Sequence, residues 1–218
     1  MDYAAIAKGA YDNFTFQSEE TDTQVFIIDG VLAFRGSSNM ADWRTNLKFA
    51  FDDIKGYKAH RGFCEAWASV RDMVCSELAV SSTRSLHITG HSLGGGVANV
   101  AAIDLMEFFP SIRLVTFGCP RVFHKNTIWP DKVVATRVVN NNDVVPRLPF
   151  RAAGYSHFGE CIYFDHEGNN AKLDGWNLFL DRIQGRFEDL GRLHTDAVND
   201  HFMDEYERLC QNLDFDAD

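Results

Sequence analysis

Apolar residues recur along this chain in two rhythms, and the rhythm keeps switching. Residues 24–30 and 31–35 are two apolar runs joined by Asp29-Gly30, which predicts an antiparallel hairpin. Phe63, Trp67, Val70, Val74 and Leu78 are spaced by four and three, one face of a helix. A short strand follows at 85–90. Residues 93–109 are rich in small side chains and predict a helix that stops before Pro110. Two more strands are expected at 112–117 and 132–139, the second running into Asn140, Asn141, Asn142 and Asp143. Residues 155–164 read as an edge hairpin. Leu178, Phe179, Ile183, Phe187 and Leu190 predict a helix weakened by Gly185. Val198, Phe202, Tyr206 and Leu209 mark one face of a final helix, with Asn199 as its N-cap.

Strands alternating with helices predict an α/β fold, a mostly parallel central sheet with helices on both faces. With 218 residues and 45% hydrophobic composition, residues 1–218 read as one domain, expected to be a monomer. No repeat, linker or low-complexity tract interrupts them. The net charge of −10 argues against nucleic acid as a partner, and against constitutive docking on anionic lipid, while leaving neutral lipid or a micelle open. No apolar run reaches the ~20 residues of a membrane helix. The N-terminus lacks a basic start and a continuous apolar stretch, so it does not read as a signal peptide. A cytoplasmic location is therefore favoured, with a secreted mature form left open. Five cysteines at irregular spacing do not form a disulfide framework, and reduced thiols are expected.

The chemistry begins at Gly90-His91-Ser92-Leu93-Gly94. A serine nucleophile on a sharp strand-to-helix turn needs glycine two residues either side, because side chains there would collide. The helix N-terminus adds partial positive charge beside a developing oxyanion. The competing reading, a phosphate loop, lacks Gly-Lys-Ser/Thr and any Gly-x-Gly-x-x-Gly pattern. Asp143 follows Ser92 at the C-terminal end of a strand, where parallel sheets carry their active residues. Asp131 precedes its strand and Asp165 follows the edge hairpin, so both are weaker acids for the role. His157, His166, His194 and His201 all follow Asp143 and compete for the base. His201, at the start of the final helix, leads, with His194 next. His157 reads better as a hydrogen-bonded core residue, and His166 as a solvated turn.

Seven segments in order resemble the class 3 lipases, the fungal-lipase-like branch of the α/β-hydrolases. They are residues 34–43 (Phe-Arg-Gly-Ser-Ser-Asn-Met-Ala-Asp-Trp), 59–63 (Ala-His-Arg-Gly-Phe), 89–95 around Ser92, 116–122 (Thr-Phe-Gly-Cys-Pro-Arg-Val), 138–149 around Asp143, 155–157 (Tyr-Ser-His) and 201–206 (His-Phe-Met-Asp-Glu-Tyr). The resemblance implies an α/β-hydrolase fold with Ser92, Asp143 and His201 as a triad. It implies an oxyanion hole from Ser37 and the backbone N–H of Leu93, and a lid near residues 40–46 with Met40 and Trp43. Trp43 also reads as a core aromatic. Val144, Val145, Leu148 and Phe150, with Met40 and Trp43, would line an acyl groove. The expected activity is hydrolysis of carboxylic esters, acylglycerols first, at a lipid or micelle surface, with no metal or organic cofactor needed. An aryl (feruloyl-type) esterase and an acyltransferase are the nearest alternatives. A catalytically silent binding module is the alternative of another class.

Overall fold

The structure, a computed structural model, describes residues 1–36, 50–79, 84–171 and 200–216. Helix α1 (Tyr3–Gly9) precedes strands β1 (Phe16–Gln17), β2 (Gln24–Ile28), β3 (Val31–Phe34), β4 (Phe51–Ile54) and β5 (Tyr57–His60). Then come α2 (Arg61–Ala79), β6 (Ser85–His91), α3 (Leu93–Leu105), β7 (Ser111–Phe117), β8 (Phe123–His124) and β9 (Val133–Asn140). Strands β10 (Tyr155–Ser156), β11 (Glu160–Phe164) and β12 (Asn170–Ala171) and helix α4 (Met203–Cys210) complete the described elements.

The eight-stranded main sheet has the order β1-β2-β3-β6-β7-β9-β11-β12. From β3 through β6, β7 and β9 to β11 every pairing is parallel. Antiparallel pairs close both ends. The expected β2–β3 hairpin is present. Its turn residues Asp29 and Gly30 have φ of 50° and 78°, the two positive values that a two-residue turn matched to strand twist requires.

Alternation along β7 divides its side chains between two cores. Ile112 and Leu114 pack with Phe63, Trp67, Val70 and Val74 of α2 and the small residues of α3. Val115 and Phe117 pack with Tyr3, Ala4 and Ala7 of α1 and Met203, Tyr206 and Cys210 of α4. The helices thus cover both faces, as a parallel sheet with strands apolar on either side demands. A smaller antiparallel sheet, β10-β8-β5-β4, lies apart from the main one. The cysteines are all unpaired, and Cys64 and Cys75 share α2.

Three expectations need correction. Residues 155–164 are not a hairpin. Tyr155 stacks on Phe51 with ring centroids 4.3 Å apart and pairs into the small sheet, while β11 joins β9 in parallel. Gly159 (φ +80°) makes the transfer: its backbone passes so close to β9 that a Cβ would lie 2.4 Å from the Ala135 carbonyl oxygen. Helix α3 ends at Leu105 rather than 109, with Met106 as its cap and Phe108 exposed. Helix α4 starts at Met203 with Phe202, not Asn199, as N-cap. Phe202 has extended backbone and is exposed, so the buried face is Met203, Tyr206 and Cys210. The helix expected at 178–190, with Val198, Asn199 and His194, lies outside the described residues.

Candidate active site

Strand β6 delivers Ser92 to the C-terminal end of the sheet in a strained conformation, φ 55° and ψ −127°. Such backbone costs on the order of 1–3 kcal/mol and persists only where surroundings enforce it. Here its N–H donates to the Phe117 carbonyl at the end of β7, 2.9 Å away. The two flanking glycines are sterically required. A Cβ on Gly90 would lie 2.6 Å from the Gly94 carbonyl oxygen, and one on Gly94 would lie 2.2 Å from that of Phe34. Leu93 is the first residue of α3, where backbone N–H groups have no partner within the helix.

Asp143 follows β9 and is fully buried. Three donors surround its carboxylate. His201 Nδ1 and the Tyr206 hydroxyl donate to Oδ2 at 2.7 and 2.6 Å, and the Val145 N–H donates to Oδ1 at 2.9 Å. Burial is the main force raising the Tyr206 phenol far above its ordinary range, so it stays a donor. Gly118, with φ +55°, makes room for the pair: a Cβ there would stand 2.8 Å from Asp143 Oδ2 and 3.0 Å from His201 Nδ1.

His201 sits on the turn entering α4, itself almost fully buried. With Nδ1 given to Asp143, its Nε2 carries the lone pair, and Nε2 makes no hydrogen bond among the described residues. The loop around it is fastened. Asp200 accepts from the Asn142 N–H at 3.1 Å and from Asn141 Nδ2 at 3.2 Å, and the Asp200 carbonyl accepts from Asn140 Nδ2 at 3.0 Å. His91, immediately before Ser92, packs its ring 4.7 Å from that of His201 and donates from Nε2 to the His201 carbonyl at 2.7 Å. The Tyr11 hydroxyl donates to His91 Nδ1 at 2.6 Å. Burial, then the nearby His201, holds the His91 imidazole well below its usual range and therefore neutral.

Asp143 and His201 are thus in direct contact, and Ser92 stands beside His91 at the end of β6, with β7 between it and β9. The rivals are placed elsewhere. Asp131 is exposed before β9. Asp165 caps its own turn, accepting from the N–H groups of Glu167 and Asn169. His157 donates from Nε2 to the Pro146 carbonyl at 2.6 Å, and burial first, then neighbouring arginines, push its imidazole down to about 3. His166 is exposed. Val145 is fully enclosed, Val144 and Leu148 are half-buried and Phe150 is exposed. Ser37, Met40 and Trp43 lie outside the described residues. Tyr206, His91, Tyr11 and Asp200 were not singled out from sequence. Tyr206 was visible as part of a helix face and as the last residue of the 201–206 segment, and His91 only as the variable position of the serine motif.

A parallel sheet with a serine elbow after β6 and an Asp–His pair after β9, two strands across, defines an α/β-hydrolase. The chain belongs to the class 3 lipase family, whose model, Lipase (class 3), matches residues 31–153. It is 38% identical over 145 residues to secreted mono- and diacylglycerol lipase 1 of Fusarium solani, covering 62% of this chain and 44% of that one. With secreted mono- and diacylglycerol lipase A of Penicillium cyclopium it shares 35% over 186 residues, covering 77% and 60%. Lipase II from Rhizopus niveus superposes with a TM-score of 0.66 at 27% identity, over 74% of this chain and 78% of that one. The chain spans about half the length of the curated relatives it matches. Two of these relatives are named as secreted, which lends no support to the cytoplasmic expectation. No helix among the described residues is long and apolar enough to cross a membrane.

Proposed function

We propose that this protein is a serine carboxylic-ester hydrolase that cleaves acylglycerols through an acyl-enzyme. The observation that carries the reading is the buried Asp143–His201 hydrogen bond of 2.7 Å, which leaves His201 Nε2 without a partner among the described residues. Such a nitrogen is a base waiting for a proton. In the proposed cycle the Ser92 hydroxyl turns toward Nε2, loses its proton to it and attacks the ester carbonyl. Asp143 holds the ring and stabilises the imidazolium. The Leu93 N–H and Ser37 bind the oxyanion; losing one such donor costs on the order of 10²–10³ in rate. His201 then protonates the leaving alcohol, and water releases the acid by the reverse sequence.

Mono- and diacylglycerols are the first substrates to try, because the named Fusarium and Penicillium relatives act on that class. Val144, with Met40 and Trp43, is proposed to contact the acyl chain, and Val145 to hold Asp143 from behind. The test is turnover of p-nitrophenyl butyrate and of a monoacylglycerol by the wild type and by Ser92→Ala. Hydrolysis of both by the wild type and of neither by the variant is expected. A folded wild type that hydrolyses no ester contradicts the proposal and favours a binding module. Acyl products formed faster than hydrolysis on adding alcohols would reassign it as an acyltransferase.

A further inference from the structure

Two segments that frame the site, 116–122 and 138–149, carry arginines that ester hydrolysis leaves unused. Arg121 and Arg147 from these segments, Arg137 from β9 and Arg151 from the short turn Arg151–Ala153 all line one cavity of about 470 Å³. Its wall also includes Asp143, Ser156, His157 and Tyr163. Four guanidinium groups around one hollow concentrate positive charge there, which is conspicuous in a chain of net charge −10.

Internal contacts fix two of these groups in place. Arg121 donates to the carbonyl oxygens of Arg147 and Pro149, and Arg147 donates to that of Asn141. Arg137 and Arg151 form no ion pair with any described residue, and the buried Nε of Arg137 has no hydrogen-bond partner among the described residues. Among the described lining residues Asp143 is the acidic one, and both its oxygens already accept from His201, Tyr206 and Val145. The His157 imidazole is kept neutral by its burial and by Arg137, Arg121 and Arg151, so it adds no charge and reports how near these arginines stand.

Two uncompensated guanidinium charges match about two negative charges on one group. A phosphate monoester carries about −1.5 to −2 at neutral pH, and the planar guanidinium fork suits its oxygens. The cavity volume falls within the range of small-molecule sites, and Val139, Pro146 and Cys161 offer apolar wall to the organic part of such a ligand. We propose that this cavity binds a dianionic phosphate monoester, with Arg137 and Arg151 as its principal contacts. The inference stands whether or not the serine site hydrolyses esters.

The experiment is isothermal titration of the whole chain with glycerol 3-phosphate, inorganic phosphate and acetate at matched ionic strength. Glycerol 3-phosphate and phosphate are expected to bind more tightly than acetate. Arg151→Gln and Arg137→Gln should each weaken glycerol 3-phosphate by about tenfold, the scale of one charged hydrogen bond. Ser92→Ala should bind as the wild type does. Arg151 is exposed on a short turn, so its variant decides the matter if the β9 variant fails to fold. A vesicle arm of phosphatidylcholine with and without phosphatidic acid separates the sources. Phosphatidate binding lost in Arg151→Gln marks a lipid headgroup, and soluble binding alone marks a free metabolite. Phosphate no tighter than acetate, or unchanged binding in folded Arg151→Gln, overturns the proposal.

Discussion

Asp143 sits beyond the reach of solvent, and its charge is tolerable there because His201, Tyr206 and Val145 all donate to it. A hydrogen bond to a charged group contributes about 1.5–3 kcal/mol. Tyr206→Phe removes one such bond, to Asp143, and the one its hydroxyl accepts from the Asn140 N–H at 3.1 Å, and leaves the ring packing. It should lower Tm by roughly 3–10 °C by calorimetry, and kcat on a soluble ester should fall about tenfold with KM changed less, because a poorly held carboxylate orients the imidazole less well. An unchanged kcat would show that the Tyr206 hydroxyl only supports the fold. At this scale the sequence was uneven. Ser92 was legible because its motif has a steric reason contained within five residues. Asp143 was legible from its strand end. His201 led the four histidines on its place at the start of the final helix, but only the family resemblance separated it clearly from them, since spacing does not reveal which loop folds back. Tyr206 was hidden, because its partner is 63 residues away and its helical position accounts for it as packing alone.

The elements hold the site through backbone contacts too close for side chains. Gly94→Ala would drive a Cβ into the Phe34 and Arg35 carbonyl oxygens, at 2.2 and 2.5 Å, and β3 has no room to yield inside the sheet. It should fail to fold or lose upwards of about 3 kcal/mol in urea denaturation. Gly118→Ala meets side chains instead, those of Asp143 and His201. It should retain cooperative unfolding while ester turnover falls about a hundredfold, the scale of an ångström-sized misplacement. Equal losses of stability in the two variants would contradict this division. Periodicity located the strands and helices of the main sheet well. It failed at residues 155–164, because alternation says that a segment is extended but not which sheet it joins. The placement of Tyr155 against Phe51 and of β11 beside β9 depends on contacts across the whole fold. The start of α4 was misjudged for a related reason: Phe202 fits the helical spacing, yet it turns to solvent while Met203 goes inside.

For the molecule as a whole, three neutral histidines shape the response to acid. Burial lowers His60 to about 4 and, with nearby arginines, His157 to about 3, and it lowers His91 well below 6.5. Each has a folded pKa below its unfolded one, so the unfolded chain takes up protons first as pH falls. Their contribution is whole above about pH 6.5 and is lost progressively toward pH 4, at up to ~1.4 kcal/mol per pH unit for each histidine. Urea midpoints measured from pH 8 to pH 4 should be flat at first and then fall steeply below about 6.5. His157→Asn should reduce that slope by the share of one proton, and an unaltered slope would remove His157 from the account. The central claim concerns the hydroxyl of Ser92 and the free nitrogen of His201, and covalent labelling by a fluorophosphonate, mapped by peptide mass spectrometry, tests it most directly. One adduct is predicted, on the peptide bearing Ser92, forming at least about a hundredfold more slowly in His201→Ala. An adduct on another residue, or one forming equally fast without the His201 imidazole, would contradict it.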